Sequence, residues 1–271
     1  MTALDLQPPN IAARRPVDTQ LVGGSFFMLV LLALGFAGLL SDARLLDGDP
    51  VWAKPTKFAA ATLVHLVTLA LVARLLSETL RHGWVMRITV PVVLFCSVAE
   101  LGYIFVQAAA QQHSHFNLAT PFHAAMYSAM GIGAVLLTAG AAVIGVLVAR
   151  DRTAQLGAGL RLGVALGLIG GTVLTILVAG YLGGNGGHYV GQHPAGGSVV
   201  PVFGWSLETG DLRPAHFLAL HMMQAVPLIG LALDRIAPAR AGLLAILAAI
   251  GWTGLTLIVF AQAVAGQPLL G

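Results

Sequence analysis

The chemistry open to this chain rests on a few polar side chains inside apolar runs: His65, Glu100, His221 and Gln224. Two imidazoles and a carboxylate make a ligand set for a divalent metal such as iron or zinc, with Gln107, His115 or Gln224 as supporting partners. The same imidazoles, His65 and His221, also read as axial ligands of a haem b, with Lys54, Lys57 or Arg213 placed for its propionates. Gly102 and the Gly170-Gly171 pair are the small residues that would line a haem slot. Met222 and Met223 beside His221 suit copper, although methionine is also ordinary apolar filling. His115 and His216 join Glu100 as groups for the reacting site, and Asn117 is placed to orient a substrate. Cys96 is the only cysteine, so one chain cannot build a disulfide framework, a CxxC pair or a thiolate zinc cluster.

What holds such groups must be membrane helices. Of the 271 residues, 57% are hydrophobic and 9% charged, whereas a soluble domain carries about 25% charged residues. The mean hydropathy of +0.86 says the same. Seven stretches reach the ~20 apolar residues that span a bilayer as a helix: Leu21–Leu40, Thr56–Leu76, Arg87–Ala110, Phe122–Ala149, Gly159–Leu182, Pro214–Leu233 and Arg240–Ala265. The expected fold is therefore an all-α integral membrane protein, one seven-helix domain over 21–271 behind a cytoplasmic tail at 1–20. No cleaved signal peptide and no internal repeat are expected.

The basic residues set the orientation. Arg14, Arg15, Arg74, Arg81, Arg87, Arg150, Arg152, Arg161, Arg235 and Arg240 belong to one side, and Arg44, Lys54, Lys57 and Arg213 to the other. Positive charge stays inside, so the N-terminus is expected in the cytoplasm and the C-terminus outside, in the inner (plasma) membrane of a bacterium. These cations are scattered at the ends of apolar runs, which excludes a nucleic-acid surface despite the formal charge of +3.

Depth and helical phase then bring the polar groups together. His65, Glu100, His221 and Gln224 lie about 10–15 Å below the outer surface at a rise of ~1.5 Å per residue. Glu100, Tyr103, Gln107 and Gln111 share one helix face; Thr62, His65 and Thr68 share another. The outer connections are the longer ones, and the glycine-rich 183–213 segment reads as a lid or a linker. Plainer readings stand beside these: a membrane histidine held by an interhelical hydrogen bond, lysines snorkelling to headgroups, and His188 and His193 simply solvated in their loop.

The outline is similar to the seven-helix zinc hydrolases of the alkaline ceramidase and adiponectin-receptor type, which place histidines and an acidic residue in the membrane. Their paired His-x-x-x-His on the last helix has no counterpart here, where the last span lacks histidine. The seventh span also lacks the lysine of microbial rhodopsins, and the duplicated halves of haem A synthases are missing. The expectation is an iron- or haem-dependent oxidoreductase acting on a small or lipid-soluble substrate. Alternatives are a membrane metal-dependent hydrolase, a proton-coupled carrier using Glu100 and His65, and a subunit that serves a membrane protein partner.

Overall fold

The computed structural model describes residues 17–194 and 196–270; Arg14, Arg15 and most of the expected tail lie outside the described residues. The helices are α1 (Val17–Ser41), α2 (Ala53–Ala73), the one-turn α3 (Glu78–Arg81), α4 (Trp84–Ala109), α5 (Pro121–Arg150), α6 (Ala158–Gly184), α7 (Leu212–Ile236) and α8 (Ala241–Val264). Seven of them, all but α3, are long and apolar enough to cross a membrane. Their outer faces carry large exposed apolar side chains such as Phe26, Phe95, Ile132 and Ile258, a belt suited to lipid rather than water.

Local chemistry sets where the helices begin. Thr120 caps α5 by accepting from His123 N at 3.2 Å, with Pro121 in the first turn, where its missing N–H costs nothing. Asp211 caps α7 by accepting from Arg213 N at 3.0 Å. Helix α6 starts after Gly157 with no cap of its own. Asp234, near the far end of α7, does the job instead: Gly159 N and Leu160 N each donate to its carboxylate at 2.8 Å.

Helices α6, α7 and α8 pack as one block, α1 lies along α2, and α5 joins α4 to α6. The closest pair, α6 against α7, meets along glycines spaced every four residues. A Cβ on Gly163 would lie 2.8 Å from Val226 O, on Gly167 3.0 Å from Met222 O, and on Gly171 3.3 Å from Ala219 O. This small-xxx-small seam lets two backbones approach as membrane helices prefer. It also corrects one expectation: Gly170 and Gly171 are taken up against Met222 and Met223 and line no slot, while Gly102 faces open space. Met222 and Met223 are buried packing residues.

The two ends of the bundle differ. At one, connections are short. Asp151, 3% exposed, accepts from Ser77 N at 2.7 Å, Thr153 N at 3.1 Å, Thr153 Oγ1 at 2.7 Å and Ala154 N at 3.2 Å. Burial alone would raise its pKa, but these donors outweigh it and hold the carboxyl well below the usual range. Arg161 donates to Val148 O at 3.0 Å, Ala154 O at 2.7 Å and Asp151 O.

The other end is loop-rich. Strands β1 (Leu45–Leu46) and β2 (Asp49–Pro50) pair across Asp47-Gly48, whose φ values of 54° and 88° are those of a type I′ turn. Strands β3 (Tyr189–Val190) and β4 (Gly210–Asp211) pair antiparallel and pin both ends of the 183–213 segment, with Val199 bridging Ser206 between them.

Candidate functional site

Helices α2 and α7 both leave the loop-rich end and meet through one hydrogen-bond relay. Thr68 Oγ1 donates to Val64 O at 2.7 Å, so it must accept from Gln224 Nε2 at 3.2 Å. That turns Gln224 Oε1 toward His221, 3.1 Å from Nδ1, and makes Nδ1 the protonated nitrogen. The lone pair of His221 is thereby assigned to Nε2. Since Thr68 and Gln224 each lie three residues beyond His65 and His221, the two imidazoles stand at the same level on helices that touch one turn deeper.

His65 is 7% exposed. The backbone of Leu137 on α5 lies near its ring, and its Nε2 is buried with no partner. Glu100 on α4 interacts electrostatically with Lys54 at the start of α2. Of the three residues expected as metal ligands, only His221 has a described hydrogen-bond partner, Gln224. Among the described residues, no three His, Cys, Asp or Glu side chains gather closely enough to hold a metal ion.

What does converge is a second set, nearer the loop-rich end. Lys54 lies within Coulombic reach of Glu100, His115 and His188, and His216 within reach of His115 and His221. The Phe58 ring packs 5.4 Å from the His115 ring and 5.7 Å from Lys54 Nζ. The Tyr127 ring lies 6.2 Å from that of His115. Ser114 Oγ lies 3.1 Å from His115 Nδ1, and His216 Nδ1 is buried without a partner. Burial first, then the charge of Lys54 and the neighbouring His216, pushes His115 down to about 3, so it is neutral at physiological pH.

Gln107 and Asn117 shape the loop that carries His115. Gln107 Nε2 donates to Tyr103 OH at 2.7 Å and His113 O at 3.3 Å, and Asn117 Nδ2 donates to the same carbonyl at 3.1 Å. The first of these bonds joins two members of the stripe read from helical phase.

The glycine-rich segment is built rather than loose, which overturns the reading of its histidines as solvated. His193 stacks on Tyr189 at 4.4 Å and its Nδ1 sits 3.0 Å from the buried Ser206 Oγ. His188 packs 4.1 Å from the same tyrosine ring. Burial, followed by the charge of Arg213, pushes His188 down to about 4. Arg213 grips Asp211 at 2.6–3.1 Å and donates to Tyr189 OH at 3.1 Å and Gly204 O at 2.6 Å. Phe203 and Trp205 lie on Phe217, whose ring is 4.2 Å from His221. From α2, Lys57 Nζ donates to Phe203 O at 3.2 Å, so this strap bridges both helices above the relay. Serine and glycine at 204–210 offered no sequence signal for it; the Asp211-x-Arg213 pair at a helix start was the cue available.

Comparison of the chain with protein-family models, with curated proteins and with solved structures finds no match to any of them.

Proposed function

We propose that this chain is a multi-pass protein of the bacterial inner membrane, N-terminus inside and C-terminus outside, that binds haem b through His65 and His221. The haem would serve oxidoreductase chemistry on a small or lipid-soluble substrate arriving at the loop-rich, outward end. The observation that carries the reading is His65 Nε2, a buried ring nitrogen without a partner. An unpaired buried polar atom costs about 1–3 kcal/mol, and a ligand is a common reason for a protein to carry that cost. His221, half-buried, offers its Nε2 as a second ligand nitrogen, with Nδ1 oriented by Gln224 as metal-binding histidines are oriented.

The donor count separates haem from a bare ion. Iron or zinc alone draws three or four protein ligands, and no such group is assembled among the described residues. A haem brings four nitrogens and needs one or two imidazoles. When bound it would supply a one-electron centre; Gln224 orients His221, and Phe203 and Trp205 of the strap cover it through Phe217. The test is an optical spectrum from about 350 to 700 nm of the detergent-purified protein, oxidised and then dithionite-reduced, with iron analysis of the same sample. A Soret band that shifts on reduction, and is lost in His65→Leu and His221→Leu, is the expected result. A featureless spectrum with no iron would sink the proposal.

A carrier is the second reading, favoured by Glu100 standing in a span opposite Lys54. It predicts that Glu100→Gln abolishes uptake of a substrate by proteoliposomes while the protein carries no metal.

A further inference from the structure

The set around Lys54 is not needed to ligate a haem, and its atoms are left unsatisfied in a pattern that points to a ligand. Among the described residues Lys54 Nζ makes no hydrogen bond or ion pair; its described contacts are the face of Phe58 and the more distant Glu100 and imidazoles. An ammonium has three donors and no acceptor, and at the rim of a lipid-facing bundle it needs an oxygen. His216 contributes a buried Nδ1 without a partner. His115, with Nδ1 beside Ser114 Oγ, leaves its other nitrogen for a second bond. Each group comes from a different element: α2, α7, and the loop between α4 and α5.

The surroundings say what kind of oxygen. Phe58 and Tyr127 flank His115 with aromatic faces, and the neighbouring exposed surface is apolar, Phe122 and Leu118 included. A cavity of about 40 Å³ opens on the Lys54 side of this set, lined by Pro55, Ile104, Gln112, His113 and Ser114 among others; His115 and His216 do not line it, and Ser114 joins it to His115. At roughly 10–15 Å³ per water-sized group, it takes a polar head and its water but no whole ligand. The rest of the molecule must lie along the apolar helices.

We propose that Lys54, His115 and His216 form a binding site for an oxygen acceptor carried on an apolar body, a quinone carbonyl or a fatty carboxylate. This names the lipid-soluble substrate class of the function proposed above and rests on that reading only for its role. Binding itself requires no haem, so the two fail separately.

The test is calorimetric titration of the purified full chain in detergent with decylubiquinone and, separately, with decanoate, on protein with and without added haem. Saturable binding of about one molecule per chain is expected, weakened at least tenfold in Lys54→Met and in His115→Asn. Arg152→Gln, a cation lost at the opposite end, should bind as wild type. Melting temperatures of all variants are taken alongside, and either ligand-site variant that keeps the wild-type value is sufficient. Saturation by decylubiquinone alone assigns a quinone, and by decanoate alone a fatty acid. If neither saturates, or if a well-folded Lys54→Met binds either one with wild-type affinity, the site is wrong.

Discussion

The two ends of this bundle treat polar atoms in opposite ways. At the short-turn end, the carboxylates of Asp151 and Asp234 accept from backbone N–H groups of neighbouring segments, and Arg161 spreads its donors over three carbonyls. Each stitches elements together. At the loop-rich end, Lys54 Nζ makes no hydrogen bond or ion pair among the described residues, and His65 and His216 each bury a nitrogen with no partner. Arg81 Nε, by the short turns, is buried without a partner too, but Arg81 still ties Arg74 O and Leu76 O together. The loop-rich groups hold nothing together in this way, so function should be sought there.

Substitutions that exchange the two roles would break that contrast. The largest cost falls on Asp151→Ala, which strips an acceptor from Ser77, Thr153 and Ala154 and should lower unfolding stability by about 3 kcal/mol. Asp234→Ala orphans Gly159 N and Leu160 N and should lose about 2 kcal/mol, read by the same detergent unfolding titration. His65→Leu should do the reverse of both. It removes a partnerless nitrogen, so the haem-free protein should match wild type or gain about 1 kcal/mol while losing all capacity for haem. A His65→Leu chain as crippled as Asp151→Ala would show that His65 is structural and erase the distinction.

Acid sharpens the comparison further. His115 is held neutral with a folded pKa near 3, whereas unfolded histidine titrates near 6.5. Between those values the unfolded chain binds the extra proton, so stability falls as pH drops from about 6.5 toward 3. Melting temperatures at pH 7 and pH 4.5 should differ less in His115→Asn than in wild type. Smallest is Lys57→Ala, which loses one exposed bond to Phe203 O and should cost about 0.5 kcal/mol. Its effect should show instead as faster proteolysis between 196 and 205.

Seven spans were legible because run length and hydropathy are properties of one segment at a time. The expected Phe122–Ala149 and the observed Pro121–Arg150 differ only at the terminal residues. His65 and His221 stand at one level along their helices, as counting residues from the helix starts suggested. What a single segment does not carry is which neighbour its polar face meets. Glu100 was grouped with His65 by depth, and its described interaction is electrostatic, with Lys54; which neighbour it has depends on the order of helices around the bundle, which packing decides. Two signals went unread though they were present. Asp47-Gly48 marks a type I′ hairpin, and the glycines at 159, 163, 167 and 171 mark the α6 face that takes α7.

That glycine row also decides what in the molecule moves. Where Gly163 and Gly167 meet Val226 O and Met222 O, there are no side chains on the α6 side to change rotamer. The α6–α7 pair therefore behaves as one stiff beam, with the root of the strap fixed to it through Asp211 and Arg213. Helix α2 stands outside that beam, tied to it among the described residues by the Thr68–Gln224 bond and to the strap by the bond from Lys57 to Phe203 O. For the ligand proposed above, entry beside α2 would leave the α6–α7 wall in place.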